Sequence, residues 1–209
     1  TSPMASRSIS TLAERSFSRR VMALVVVAGL LVGAGSAWHT MKRGGLRGAG
    51  STGWVGNTSA GSVDADPWTR ARIALTGLLA LTRSQAIYFT TQTDSAGARL
   101  TEGCRYRVTG GPMSARWWSV TVYADDDYLP QNEDDALSFD ATEVRPDAQG
   151  QWSALVANKP EAGQPWASSN KAGQYTLTLR LYNPAQSAQD DFASIPMPKV
   201  TKLDCGGAA

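Results

Sequence analysis

Two clusters of acidic side chains are the first residues that could do chemistry. Asp125-Asp126-Asp127 and Glu133-Asp134-Asp135 lie on either side of Tyr128-Leu129-Pro130. Carboxylates of this kind hold a hard cation such as Ca²⁺, or flank a glycosidic bond as general acid and base. Asp125, Asp127 and Asp135 are the candidate residues for both roles. The regular Asp-x-Asn-x-Asp-Gly calcium loop is absent, so a solvated acidic connection between strands is the preferred interpretation.

A second candidate site follows from two strand-like segments, 116–123 and 174–182, in which alternate residues must point to opposite faces. The apolar rows, which predict the core, are Trp118, Val120, Val122, Tyr175, Leu177, Leu179 and Leu181. The opposite rows are Trp117, Ser119, Thr121, Tyr123, Thr176, Thr178, Arg180 and Tyr182. Aromatic rings interleaved with arginines can stack on sugars and pair with carboxylates or phosphates.

A third segment, with Arg105 and Arg107, is expected to extend this second face. The predicted ligand-binding residues are therefore Trp117, Tyr123, Arg105, Arg107, Arg180 and Tyr182. The alternatives are that a helix covers the face or that its arginines only solvate it.

Histidine chemistry is excluded from most of the chain. The one histidine is His39, beside an apolar segment, so the residues that follow contain no Ser-His-Asp or Cys-His arrangement and no imidazole metal ligand. No Walker or dinucleotide glycine motif is present. We expect no cofactor, with Ca²⁺ at the acidic loop as the alternative, and any catalysis would depend on carboxylates.

Two cysteines, Cys104 and Cys205, remain to be placed. In an oxidising compartment an isolated pair forms one disulfide, which here would close a loop of about 100 residues. A reactive thiol pair or a metal pair is the alternative. Two sulfur atoms cannot close a tetrahedral zinc site without further ligands.

An apolar segment at 21–38 decides the topology, because it is flanked by Arg19-Arg20 and Lys42-Arg43. Its length of about 27 Å is at the lower limit for a membrane-spanning helix. A retained anchor is preferred over a signal peptide cut at Gly35-Ser36-Ala37. The excess of arginine before the segment favours an inside N-terminus. Gly29 and Gly33 form a G-x-x-x-G pair that would support a weak homodimer.

The charge is distributed unevenly along the chain. Residues 1–50 carry a net charge of +6, whereas residues 51–209 carry −4. The basic surplus therefore meets anionic lipid headgroups at the membrane. An acidic exported domain binds DNA or RNA poorly because it repels the phosphate backbone, so nucleic acid is excluded as a partner.

The remaining patterns predict a mainly β fold. After a Gly/Ser-rich linker, Asp66 and Pro67 begin an amphipathic helix over 67–82, with an apolar stripe formed by Trp68, Ala71, Leu75, Leu78 and Leu79. Trp54, within the linker, is a candidate to dock on the domain. Strand patterns follow at 85–93, 104–109, 116–123, 137–144, 151–157, 174–182 and 199–203. One leading helix and seven strands indicate an antiparallel β-sandwich or jelly-roll-like domain.

The predicted organisation has five parts. These are a cytoplasmic segment at 1–20, an anchor or uncleaved signal at 21–38, a linker at 39–65, an exported sandwich at 66–205 and a tail at 206–209.

Three motifs carry a resemblance to a known family. They are Arg83-Ser84-Gln85-Ala86-Ile87-Tyr88-Phe89, Ala115-Arg116-Trp117-Trp118-Ser119-Val120-Thr121-Val122-Tyr123 with Asp125, and Tyr175-Thr176-Leu177-Thr178-Leu179-Arg180-Leu181-Tyr182-Asn183-Pro184. Over about 66–203 the chain resembles the bacterial domain of unknown function 1214 family. The resemblance implies a β-rich envelope or exported domain and, without the second domain of larger relatives, a short membrane-anchored subgroup. The resemblance identifies no catalytic residues that could be assigned to positions of this chain.

The preferred functional hypothesis is a non-enzymatic protein of the bacterial inner membrane. One span would hold the C-terminal domain in the periplasm, where it binds a glycan, a lipid headgroup or an envelope protein. The first alternative is a carboxylate-dependent hydrolase or lyase acting on envelope polysaccharide. The second is a structural subunit of an envelope assembly.

Overall fold

The computed structural model describes residues 18–43, 53–56, 60–76 and 81–206. The chain divides into two compact units, Thr1–Gly44 and Gly45–Ala209. The first contains helix α1 (Arg19–Arg43), of which 21 residues, Arg19–His39, are long and apolar enough to cross a membrane. At about 1.5 Å per residue this stretch measures about 32 Å, which matches a hydrocarbon core of about 30 Å. Arg7 and Arg15, which contribute to the excess of arginine before the apolar segment, lie outside the described residues, as does Arg47 after it.

The second unit is mainly β and is built from two sheets. Its strands are β1 (Val55–Gly56), β2 (Ala86–Thr91), β3 (Cys104–Gly110), β4 (Ala115–Tyr123), β5 (Ser138–Asp140), β6 (Trp152–Ala157), β7 (Trp166–Ser168), β8 (Thr176–Pro184) and β9 (Lys199–Cys205). One sheet has the order β1-β2-β8-β4-β5 and the other β7-β6-β3-β9. All pairs are antiparallel except β6 with β7, which is parallel. The seven predicted strands are all present, and the mainly β fold is confirmed.

The core lies between the two sheets and contains the predicted apolar rows. Val120 and Val122 of β4 and Leu179 of β8 have no exposed surface. Trp118 stacks on Trp152 from the other sheet, with ring centroids 4.4 Å apart. Burying one large apolar side chain contributes about 1.5–3 kcal/mol, so the period-2 pattern of these strands is a principal source of stability.

The folded unit includes part of the segment predicted as a linker. Trp54 is 1% exposed, lies in the core, and its indole nitrogen donates a hydrogen bond of 2.7 Å to the carbonyl of Pro198. Next to it, β1 pairs with β2 through Val55 and Gly56. The Gly/Ser-rich composition around these residues predicts a linker, and β1, with only two residues, is too short to give a strand pattern.

Helix α2 (Pro67–Thr76) begins where the sequence predicts, because the Asp66 carboxylate accepts hydrogen bonds from the backbone N–H groups of Trp68 and Thr69. Two members of the predicted apolar stripe are exposed on the described part of this helix. Trp68 and Leu75 are 53% and 54% exposed, whereas Thr69 is 7% exposed. These two members of the stripe therefore face outward.

The predicted end of this helix at residue 82 is wrong. Residues 81 and 82 are not helical, because the Gln85 side chain accepts hydrogen bonds from the Thr82 backbone and hydroxyl in a turn before β2. Leu78 and Leu79, the other members of the stripe, lie outside the described residues.

The two cysteines form the predicted disulfide. Cys104 and Cys205 are opposed residues on β3 and β9, and the bond joins positions 101 residues apart. It closes the C-terminal strand onto the second sheet. A short helix, α3 (Gln186–Asp190), and a 3₁₀ turn (Phe192–Ser194) connect β8 to that strand.

Candidate functional site

The outer face of the five-stranded sheet brings together four of the six residues predicted to bind a ligand. Trp117 of β4 is opposite Tyr182 of β8, with ring centroids 5.1 Å apart. Arg180 is two register positions further along, opposite Ser119, and Tyr123 is the last residue of β4. Because these residues alternate with buried core residues, the backbone of β4 and β8 fixes their positions. We call Trp117, Tyr123, Arg180 and Tyr182 the outer-face site.

Arg180 is the charged centre of this site. Its guanidinium donates a hydrogen bond of 2.9 Å to the hydroxyl of Thr121 and another to the hydroxyl of Tyr123. It also lies 5.4 Å from the centre of the Tyr123 ring. Among the described residues, the ion pairs are formed by Arg72 and Arg105, not by Arg180. Arg180 is therefore held by neutral groups, and its charge is not matched by a described carboxylate.

Tyr88 is a member of the same face that the sequence analysis missed. It is opposite Arg180 on β2 and is 6% exposed. Burial raises the pKa of its hydroxyl, and Tyr182 raises it further, while a hydrogen bond with the Leu81 backbone and the charge of Arg180 lower it. The signal was available, because Tyr88 alternates with Ile87 and Phe89, which both lie in the core.

One part of the face is covered and another is open. Ser119, Thr121 and Thr178 are buried although they point away from the core. Leu81, just before β2, forms a backbone hydrogen bond with the Tyr88 hydroxyl, and Arg72 of α2 lies 3.8 Å from Asp127 in the loop after β4. The four members of the outer-face site are only partly buried. They form the accessible part of the face.

The structure does not bring Arg105 and Arg107 to this site. Both belong to β3, in the other sheet. Arg105 forms ion pairs with Glu161 and with Asp204, the second at 3.0 Å, and Arg107 is exposed. Strand alternation shows which residues share a face of one strand, but it does not show to which sheet that strand belongs.

The acidic loop is organised by turns. Asp127 and Asp135 both have positive φ, 68° and 52°, and Asp126 accepts a hydrogen bond from the Tyr128 backbone. Asp125 and Asp135 are exposed. Within the residues that the structure describes, no group of three or more histidine, cysteine or acidic residues could hold a metal ion. The structure therefore does not assemble Asp125, Asp127 and Asp135 as a calcium site.

Asp134, which the sequence analysis did not single out, is a carboxylate of this loop that other side chains hold by hydrogen bonds. It accepts hydrogen bonds of 2.5 Å from the Ser168 hydroxyl and 2.7 Å from the Asn170 amide. These bonds lower its pKa, the Ser168 bond most. Because Ser168 belongs to β7, this carboxylate connects the loop after β4 to the other sheet.

Two solved structures are similar to this chain. The VPA0106 protein from Vibrio parahaemolyticus has a TM-score of 0.56 and 18% identity, with 92% of this chain and 47% of that chain covered. A putative uncharacterized protein from Burkholderia cenocepacia has a TM-score of 0.41 and 14% identity, with 91% and 53% covered. The chain thus spans about half the length of these structures. At this identity, the first likeness shows the fold alone.

A comparison with curated proteins gives no match. The family described as "Protein of unknown function (DUF1214)" matches residues 85–186. This range begins just before β2 and ends just after β8, so it contains the complete outer-face site and, apart from Arg83 and Ser84, the motifs that carry the resemblance. The part of the domain built around β2, β4 and β8 is therefore similar to the DUF1214 family.

Proposed function

We propose that this protein is a membrane-anchored binding module that takes an acidic glycan at the outer-face site. One observation carries the proposal: Arg180 is a partly buried cation that is held by hydroxyl groups and an aromatic ring instead of a carboxylate. Such a guanidinium retains the capacity to form charge-assisted hydrogen bonds with an incoming anion. The neighbouring rings of Trp117 and Tyr182 offer apolar surface to a sugar.

An acidic glycan fits this arrangement better than an uncharged one. A sugar ring presents C–H groups that pack on aromatic side chains, and its carboxylate is the natural partner of Arg180. The site lies on strands, whose backbone hydrogen bonds hold the aromatic and cationic groups at fixed spacing. Preorganisation of this kind reduces the entropy lost on binding.

The membrane location is the second part of the proposal. Helix α1 would act as a single span of the bacterial inner membrane, with the N-terminus inside and the sandwich in the periplasm. The length of α1 supports a span, and the Cys104–Cys205 disulfide suits an oxidising compartment. Alkylation of the native protein before reduction tests this location: we expect no free thiol, and two free thiols would contradict it.

Binding is tested with an acidic trisaccharide, trigalacturonate. We expect the full-length protein in detergent to bind trigalacturonate, and Arg180→Ala to weaken binding about 10-fold to 100-fold through loss of a hydrogen bond to a charged group. Trp117→Ala should also weaken it. Arg107→Ala is the matched control, because it removes an exposed arginine from the other sheet. Isothermal titration calorimetry at low and high salt measures each affinity.

Two results would overturn the assignment. One is a trigalacturonate affinity that Arg180→Ala leaves unchanged. The other is cooperative unfolding of both the Arg180→Ala and Trp117→Ala variants at the temperature at which the parent is folded, because these side chains would then serve the fold. Catalysis by Asp125, Asp127 or Asp135 is not part of the proposal, since no described contact brings these three carboxylates together.

A further inference from the structure

A cleft away from the outer-face site has a lining suited to a ligand. It has a volume of about 800 Å³, within the range of small-molecule sites, about 300–1,000 Å³. Its lining residues come from the end of β3, the connection between β5 and β6, the start of β6 and the loop before β7. Glu143, Arg145, Asp147, Trp152 and Gln164 are among them.

The walls of the cleft are fixed by local hydrogen bonds. The Asp147 carboxylate accepts bonds of 2.9 Å and 2.8 Å from the backbone N–H groups of Gln149 and Gln151. The Glu143 carboxylate accepts one of 3.0 Å from the backbone of Asp140. Trp152 donates its indole N–H to the carbonyl of Gly111 at 2.8 Å. These bonds use one oxygen of each carboxylate, and both side chains are exposed, so the other oxygen can accept from a ligand.

Gln164 supplies the observation that points to a hydrogen-bond donor. Its side-chain oxygen Oε1 is buried and, among the described residues, accepts no hydrogen bond. A buried acceptor in this state costs about 1–3 kcal/mol. The last torsion of a glutamine side chain has a broad preference, so rotation of the amide can turn this oxygen toward a donor in the cleft.

The charges of the lining select the ligand class. Glu143 and Asp147 are acidic and Arg145 is basic, so the cleft carries a net negative charge and disfavours an anion. Its other polar groups are hydroxyls and amides, which exchange hydrogen bonds with hydroxyl groups. We propose that this cleft is a second binding site, which takes an uncharged saccharide through hydroxyl donors to Gln164, Glu143 and Asp147.

Binding of uncharged disaccharides to the full-length protein tests this second site. The probes are cellobiose, maltose and N,N′-diacetylchitobiose, measured by saturation-transfer NMR and then by calorimetry. We expect at least one to bind in the millimolar range or tighter, and Gln164→Ala to raise its Kd about fivefold to tenfold through loss of one hydrogen bond. Gln149→Ala is the matched control, because Gln149 lies in the adjacent turn and does not line the cleft.

The two variants distinguish the two proposed binding sites. Arg180→Ala should leave disaccharide binding unchanged, and Gln164→Ala should leave trigalacturonate binding unchanged. Failure of all three disaccharides to bind at millimolar concentration would overturn the second site, as would equal affinities for the parent and Gln164→Ala. If Gln164→Ala fails to fold, Glu143→Gln provides the same comparison, and an unchanged affinity in that variant would again overturn the proposal.

Discussion

Arg180 and Arg105 occupy outward positions on different sheets, and their surroundings differ in charge. Arg105 is opposite Asp204 on β9 and also pairs with Glu161. Arg180 is flanked by Ser119 and Tyr88 and donates to hydroxyl groups. Arg105 is thus paired with carboxylates, whereas no carboxylate among the described residues pairs with Arg180. The residues on neighbouring strands therefore decide whether an outward arginine pairs with carboxylates or has only neutral groups beside it.

The largest effect should come from breaking the covalent link beside Arg105. A double variant, Cys104→Ser with Cys205→Ser, is expected to lose about 4 kcal/mol of unfolding free energy, because the disulfide closes a loop of about 100 residues in the unfolded chain. Denaturant titration measures this loss, with reduced parent protein as the control. Where the variant remains folded, its Arg180-dependent binding of trigalacturonate should be unchanged. A loss below about 1 kcal/mol would contradict the expectation.

A smaller effect is expected from Arg105→Ala. The side chains of Arg105, Glu161 and Asp204 are 42%, 35% and 52% exposed, and exposed ion pairs contribute at most about 1 kcal/mol. Melting curves at low and high salt should therefore show a small loss that salt reduces. Glu161→Gln should show part of the same loss. If Arg105→Ala instead abolished trigalacturonate binding, the functional distinction between the two arginines would be lost.

The smallest effect concerns Asp134, which connects the acidic loop to the second sheet. Its hydrogen bonds with Ser168 and Asn170 hold its pKa below the ordinary value of aspartate, about 3.9 in an unfolded chain. Its contribution to stability is therefore fully present above about pH 4 and is lost as the pH falls through the lower, folded-state pKa. Asp134→Asn should lower the melting temperature slightly at neutral pH, and this difference should shrink on acidification. A difference that is constant with pH would contradict the assignment.

Strand alternation predicted the core of both β4 and β8, because each of these strands has nine residues and a clear period of two. The same pattern correctly placed Trp117 beside Tyr182 on one face. It could not place Arg105 and Arg107, since assignment of β3 to a sheet depends on long-range pairing with β6 and β9. The cleft lined by Gln164 was also beyond sequence analysis, because its walls come from separate loops.

Short elements account for most of the other differences. Strand β7 has three residues and β1 has two, too few for a periodic signal. In α2 the periodic signal was present, but the structure exposes Trp68 and Leu75. Spacing identifies the residues that share one side of a helix, and tertiary contacts determine which side is covered.

The docking of Trp54 has a mechanical consequence. If the N-terminal unit is fixed in a bilayer, any tension along the intervening chain reaches the sandwich at Trp54 and β1. This entry point is reinforced by the ring seated in the interior and by its bond to Pro198, close to the start of β9. A pulling force would therefore be shared with the C-terminal strand, and peeling of the sheet from its edge would require extraction of an indole ring.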